Sequence, residues 1–305
     1  MVEDIAPAGE TRCGTVAILG KPNAGKSALL NALVGQKLAI VSPKPQATRQ
    51  PVIGLHTEGA VQVVLVDQPG LLDPRYLLHE AMMAAAMEWM MRADALLYLI
   101  AVNEPAPAPL IDLLPEAFRP IEKPTALLVT KTDELTHRAA WEDEMAGRYA
   151  TFIRTSAESG HGLRDVIAWT RAQVPERDFL YDADDASAQP LRFFVTEFVR
   201  EAAFELLHEE LPYALVPEVD EFREGSDPLY IRVTIYIEQD SQKRMVIGKG
   251  GRTIKALGRR ARQKIEALVA QRIFLDLWVK TLPKWRSDPG QLRRFGLPAA
   301  EKERV

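Results

Sequence analysis

The stretch GKPNAGKS, residues 20 to 27, constrains this chain more than any other feature. It follows an apolar run, TVAIL, and precedes SALLNAL, whose apolar positions repeat with a helical period. A glycine-rich turn between a strand and a helix aims backbone N–H groups at one point and sets the positive end of the helix behind them. That is a cradle for phosphate. The full pattern, G-x-x-x-x-G-K-[ST], adds a lysine for the outer phosphates and a hydroxyl for a magnesium ion. Gly20, Lys21, Pro22, Asn23, Ala24, Gly25, Lys26 and Ser27 are therefore the predicted phosphate site, with Lys26 on the outer phosphates and Ser27 on Mg2+.

Such a loop belongs to a layered sheet, and the sequence supplies one. Up to about residue 174, the runs TVAILG, VIGLHTE, VQVVLVD, ALLYLIA, TALLVT and TFIRTS read as six strands, most of them separated by helical patterns. The alternation predicts an α/β domain with a mostly parallel six-stranded sheet. The short gap at Glu58 and Gly59 predicts one antiparallel hairpin.

A composition break follows. VPERDFLYDADDASAQP, 174 to 190, is acidic and rich in Pro, Ala and Ser, and reads as an extended linker. Beyond it lie a helix with Phe194, Phe198 and Leu206 at apolar positions, two β-like runs near 213 to 222 and 229 to 237, a basic helix, and a last strand, RIFLDLWVK. This predicts a smaller α+β domain. The expected division is an N-terminal tail at 1–13, a nucleotide domain at 14–175, a linker at 176–190, a second domain at 191–290 and a C-terminal tail at 291–305. A chain of 305 residues, 47% apolar and 26% charged, has room for two cores.

Composition also excludes. Cys13 is the only cysteine, so no intramolecular disulfide and no cysteine-based metal cluster can form, and a reducing cytoplasm fits best. The start, MVEDIAPAGE, is acidic where a secretory signal is basic, and AMMAAAMEWMM is interrupted by Glu88 and too short to span a bilayer. His79, His137, His161 and His208 show no metal-ligand spacing.

Three further stretches fit a guanine nucleotide. DQPG, residues 67 to 70, ends the third strand: Asp67 can hold magnesium through water, Gln68 and Pro69 line the turn, and Gly70 can turn its N–H to a γ-phosphate. Thr48, in SPKPQATR, is placed to give magnesium a second hydroxyl. VTKTD brings Thr130, Lys131 and Asp133. The Asp133 carboxylate can accept from N1–H and the exocyclic amine of guanine, and the stem of Lys131 can cover the base. TSAESG adds Ser156 and Ala157, whose backbone N–H suits the guanine carbonyl; adenine would leave these groups unpaired.

On these residues the chain resembles the Era family, bacterial ribosome-assembly GTPases that join such a domain to a KH-type RNA-binding domain. The resemblance spans nearly all of 14 to 286 and is strongest in GKPNAGKSALLNALVG, SPKPQATR and DSQKRMVIGKGGRTIKALGRRARQKIE. It implies GTP as substrate, GDP as product, Mg2+ as cofactor, and small-subunit ribosomal RNA (the 16S 3′ end) and the 30S subunit as partners of a monomer. It extends to peripheral association with the inner face of the cell membrane. The chain departs from the family at Thr130, where asparagine is usual, at Gln68 and at Ala47. Leu71 is apolar where Ras-like enzymes orient water with glutamine, so slow hydrolysis is expected. Similar GTPases hold K+ partly through the loop asparagine, which makes Asn23 the candidate for potassium activation. The expected catalytic set is Asn23, Lys26, Thr48 and Gly70.

The second glycine loop, VIGKGG at 246 to 251, has no Lys-Ser pair after it and sits between two helical segments. It resembles the KH loop, which clamps the backbone of single-stranded nucleotides. Gly248 and Gly251 are expected to admit the RNA backbone, with Gly250 between them, and Lys249 to meet a phosphate. Val246, Ile247 and Ile254 are expected to wall an apolar groove beside Lys255. From 241 to 286 there are thirteen Lys and Arg against two acids, a net of +11, which is the footprint of a polyanion partner. From 197 to 240 the balance is reversed, twelve acids to three arginines.

The alternative from another class is a constitutive RNA-binding module with GDP as a structural ligand and negligible turnover. An ATP-using enzyme is a third reading, opposed by the TKTD and TSA pair. Trp278 is expected to pack in the core.

Overall fold

The computed structural model describes residues 11–135 and 137–298. They form two compact units. One comprises the residues up to Leu38, Pro51–Leu71 and Ala86–Ala188; the other comprises Ala39–Gln50, Leu72–Ala85 and the residues from Gln189 onward. The chain passes between them five times, once inside a helix.

The first unit is built on a six-stranded sheet, ordered β2-β3-β1-β4-β5-β6. Its strands are β1 (Arg12–Gly20), β2 (Val52–Glu58), β3 (Val61–Asp67), β4 (Ala95–Ala101), β5 (Thr125–Thr130) and β6 (Thr151–Arg154). The central ones read as unbroken apolar runs because helices cover both faces of a parallel sheet. Helix α1 (Lys26–Val34) follows the phosphate loop, α2 (Leu77–Arg92) follows DQPG, and α3 (Leu110–Leu113), α4 (Glu142–Ala146) and α5 (Leu163–Gln173) fill later connections. Only β2 runs against its neighbour, pairing Val52 with Asp67 through to Glu58 with Val61 across a turn at Gly59, as the short gap predicted.

Strands β2 to β5 begin and end where their apolar runs do. β1 starts earlier, because Arg12 and Cys13 pair with Val61 and Gln62, so the end of the expected N-terminal tail is strand; residues 1–10 lie outside the described residues. The expected linker lacks regular structure yet is docked. The N–H of Leu55 donates to Ala186 O at 2.9 Å, the Gln62 side-chain oxygen accepts the N–H groups of Leu180 and Tyr181 at 3.0 Å, and Phe179 and Tyr181 pack on Cys13, Leu55 and Val64.

The second unit carries α6 (Leu191–Leu206), α7 (Leu211–Ala214), β7 (Val216–Arg223), β8 (Leu229–Ile237), α8 (Asp240–Ile247), α9 (Arg252–Val269), β9 (Ile273–Thr281) and α10 (Pro289–Arg294). Its sheet is ordered β7-β8-β9, the first pair antiparallel and the second parallel. Leu257, Ala261 and Ile265 of α9 are fully buried at helical spacing. A further core gathers around Trp285, fully buried with its indole N–H on Ala214 O at 2.8 Å. Leu292, Phe295 and Leu297 belong to that core, so 291–297 is packed structure where a tail was expected. The same core takes in Leu78, Ala81 and Met82.

Candidate nucleotide site and nucleic-acid groove

In the first unit, β1, β3 and β5 end at Gly20, Asp67 and Thr130, so the predicted nucleotide residues gather at the carboxyl edge of the sheet, where open α/β sheets bind ligands. Gly20 cannot be otherwise: a Cβ there would lie 2.6 Å from Leu99 O. Lys26 is 6% exposed, and its Nζ donates to the carbonyls of Gly20 at 3.1 Å and Lys21 at 3.0 Å. Burial lowers its pKa to about 8, against the pull of Asp67. An ammonium held on loop carbonyls in this way is poised for a stronger acceptor.

The Ser27 hydroxyl donates to Asp67 Oδ2 at 2.6 Å. Two hard oxygen donors from different elements thus stand side by side, the donor type that magnesium takes. Gly70 brings DQPG against the loop, since a Cβ there would lie 2.6 Å from Pro22 N, and the Leu71 N–H donates to Gly20 O at 3.0 Å. Gln68 is fully buried, and neither end of its amide has a hydrogen-bond partner among the described residues. Pro69 is buried beside it. Lys21 contributes backbone only, because its ammonium is committed to Glu104 at 3.0 Å and Ala106 O at 3.2 Å, in the EPAPAP loop.

At the base end, Thr130 replaces the family's asparagine without losing the tie to the loop: its hydroxyl donates to Ala24 O at 2.7 Å. Lys131 takes a left-handed turn, φ 56°, and lies 3.7 Å from Glu134, while Asp133 is exposed. Ser156 is buried, with its N–H on His161 O and its hydroxyl accepting from Ser159 N, so it shapes the turn that leaves Ala157 partly exposed. Asn23 is exposed at φ 64°. Thr48, 8% exposed, belongs to the second unit.

In the second unit the glycine loop joins α8 to α9, as its flanking patterns predicted. Gly248, at φ 72°, ends α8, and a Cβ there would fall 2.2 Å from the Thr253 hydroxyl; this glycine is required by the loop's own closure. Gly250 and Gly251 are also left-handed, and Lys249 and Gly250 form the exposed tip. Val246 is fully buried, so it supports the loop from beneath and does not wall a groove. Ile247 and Ile254 are half-buried, and Lys255 is exposed.

A groove of about 440 Å³ runs from this loop between α9 and β9. On the helix side stand Ile254, Lys255, Gly258, Arg259 and Arg262; on the strand side stand Phe274, Leu275 and Leu277. A Cβ on Gly258 would come within 3.3 Å of the Leu277 side chain. The strand residues are missing from the sequence prediction. RIFLDLWVK signals a strand but not which faces stay uncovered, and β9 is an edge strand, with Phe274 56% exposed. Trp278, expected in the core, is 52% exposed on the same parity as Phe274, with its indole N–H on Asp276 at 3.0 Å. Glu201 and Glu205 of α6 hold Lys264 at 2.6 and 2.7 Å, and Glu205 holds Arg260 at 3.4 Å. The acids thus neutralise one flank of α9 and leave Lys255 and Arg259 beside the groove with no carboxylate partner among the described residues.

Among the described residues no helix is long and apolar enough to cross a membrane, and no cluster of His, Cys, Asp and Glu could hold a metal ion.

Residues 15–131 match the family described as 50S ribosome-binding GTPase, and residues 210–286 match the KH domain family. The chain is 35% identical to the GTPase Era of Carboxydothermus hydrogenoformans, over 95% of this chain and 99% of that one. It is 40% identical to the GTPase Era of Afipia carboxidovorans, over 94% of each. Among solved structures it is similar to a point-substituted Aquifex aeolicus Era bound to GDP·AlF4−, and to Era in complex with MgGDPNP and nucleotides 1506–1542 of 16S ribosomal RNA. Each is 32% identical with a TM-score of 0.88, covering 94% of this chain and 99% of the other.

Proposed function

Because the chain belongs to the Era family of GTPases, we propose that it couples hydrolysis of Mg·GTP to the holding of single-stranded RNA at the 3′ end of the small-subunit ribosomal RNA, during 30S assembly in the cytoplasm. The observation that carries this reading is the presence, in one chain, of a built phosphate loop and a glycine-tipped groove with cations beside it. A relative similar over 94% of this chain holds both ligand types at once.

Magnesium, when bound, would neutralise charge on the phosphates, and Ser27 and Asp67 are the residues that would hold it. Lys26 transfers its hydrogen bonds from the loop carbonyls to the outer phosphates, where its charge meets the charge that develops as the γ-phosphoryl group leaves. Gly70 offers its N–H to the γ-phosphate. Lys131, Asp133 and Ala157 read guanine, with Thr130 tying that reading to the loop. Leu71 is buried and apolar, so the attacking water has no side-chain base at that position. K+ at Asn23 is the proposed remedy, and equal single-turnover rates in sodium and potassium would discard it.

In the RNA unit, Lys249 pairs with a phosphate at the loop tip, Lys255 and Arg259 follow the backbone, and Ile254, Phe274 and Leu277 receive bases. The test is RNA-binding anisotropy with a 16S 3′-end oligonucleotide. Replacing Lys249 and Gly250 with Asp is expected to abolish binding and leave GTP turnover in isolation intact. Retained RNA affinity refutes the groove; an undetectable turnover with intact GDP binding favours the constitutive module.

A further inference from the structure

Phe274 does more than line the groove. Its ring stacks on that of Tyr230 in β8, with centroids 5.8 Å apart and planes within 10°. From β7 the Arg223 guanidinium lies 4.6 Å over the Tyr230 ring, and the Arg232 guanidinium lies 5.6 Å from Tyr230 and 5.9 Å from Trp278. Strand register explains the gathering. Arg223 pairs with Tyr230, Tyr230 with Phe274 and Arg232 with Asp276, so the alternation of side chains brings these residues and Trp278 to one face of the sheet.

The group is fixed from within. Asp276 Oδ2 accepts from the Tyr230 hydroxyl, the Arg232 Nε–H and the Trp278 indole N–H, each at 3.0 Å. Arg232 also donates to the Tyr230 hydroxyl oxygen at 2.7 Å, and Glu221 holds Arg223 at 2.6 Å. Two of the rings are nonetheless open to solvent, Phe274 at 56% and Trp278 at 52%. Flat groups already held in place lose little freedom when another flat group is laid on them. Arg223 and Arg232 are answered by Glu221 and Asp276, so the middle of the face is close to neutral. Arg272 and Lys280, at the two ends of the β9 row on the same parity, are exposed and have no carboxylate partner among the described residues.

We propose that this face is a stacking platform for single-stranded RNA leaving the groove: the strand crosses the β9 edge at Phe274 and lays a following base on Trp278, with Arg272 and Lys280 at the borders for its phosphates. Unpaired bases stack on aromatic rings and guanidinium planes with little regard to sequence, because every base has a flat face. Exposed Trp, Tyr and Arg would by composition also suit a protein partner. Continuity favours RNA, since Phe274 belongs both to the groove and to the ring stack. The inference rests on the RNA reading of the groove and extends it to bases beyond the about four nucleotides that a glycine loop of this kind clamps.

Anisotropy on the full chain tests it with a short 16S 3′-end oligonucleotide and the same oligonucleotide lengthened by about four uridines at its 5′ or its 3′ end, enough to pass the clamped stretch. Lengthening at one of the two ends is expected to tighten binding by about five- to a hundredfold, the worth of one stacked base, and an extension of equal length without bases is expected to recover only a small part of that gain. Trp278→Ala is expected to abolish the base-dependent gain and to leave the affinity of the short oligonucleotide unchanged, which also reports an intact fold. Trp278→Phe, which keeps a ring and loses the indole N–H, is expected to retain most of the gain. A short oligonucleotide that does not bind refutes the groove, and this extension with it. A short oligonucleotide that binds with no base-dependent gain at either end, or a gain that survives Trp278→Ala, overturns the platform alone and leaves the face to a protein partner.

Discussion

The hydroxyl of Thr130 donates to the carbonyl of Ala24 across 2.7 Å, joining the base end of the nucleotide site to the middle of its phosphate loop. Both residues are buried, so the bond is shielded from water. Thr130→Val keeps the shape, removes the donor and strands the carbonyl. Loss of one such bond costs about 1–2 kcal/mol, and GDP is expected to leave roughly tenfold faster. Release of a fluorescent GDP analogue measures this, and an unchanged rate would show that the tie has no part in retention.

Nucleotide binding at Lys26 is expected to depend on pH. Its pKa is lowered from 10.5 to about 8 by burial, and bound phosphates favour the charged form, so binding above about pH 8 must take up a proton. Affinity is expected to fall up to about tenfold per pH unit beyond that point. Calorimetry in buffers of different protonation enthalpy should register the uptake, and Lys26→Arg should remove it. In the nucleotide-free protein the sign is opposite: stability rises between about pH 8 and 10.5, where the unfolded chain holds a proton that the folded chain has released.

The three glycines of the second loop are not equivalent. A Cβ at Gly248 meets the Thr253 hydroxyl at 2.2 Å in addition to a positive φ; at Gly250 there is no atom within 4 Å, and only the backbone conformation objects. Gly248→Ala is expected to destabilise the second unit by about 2–4 kcal/mol and Gly250→Ala by about 1 kcal/mol. Urea unfolding separates them. Comparable losses would mean that the clash relaxes without cost.

Arg49 fastens the segment 39–50 within the second unit through three carbonyls and Trp285, while Lys44 donates to Phe204 O and Leu207 O. A lysine at 49 cannot reproduce the fork. Arg49→Lys is expected to raise amide exchange across 39–50 by roughly ten- to a hundredfold, about 1.5–3 kcal/mol of local opening. Exchange confined to its old rate would show that Ile40 and Ala47, packed on Phe204, suffice alone.

Much of this molecule is legible before folding. β3, β4 and β5 coincide with their apolar runs, because an interior strand covered on both faces has little alternative to being largely apolar. The loop GKPNAGKS and its helix follow from local backbone requirements, which is why Gly20 and Ser27 could be named from pattern alone. What escaped were properties decided by neighbours distant in sequence. Val246 and Ile254 look alike in the sequence, yet one is fully buried and the other lines the groove. Phe274 and Leu277 gain their place only because β9 falls at a sheet edge. The acidic linker has no periodicity to betray its docking, since its partners are the side chain of Gln62 and the backbone of β2.

The core around Trp285 has a practical consequence for anyone who would cut this protein in two. Composition invites a break near residue 190, but a fragment beginning there would lack Leu78, Ala81 and Met82, which fill that core, as well as Ile40 and Ala47 against Phe204. Such a fragment would meet solvent with exposed apolar side chains where the intact chain has interior, and it is expected to aggregate or to be proteolysed. The RNA-facing half is therefore not a transferable cassette; it is heritable and exchangeable only together with the two short segments that interrupt the nucleotide half.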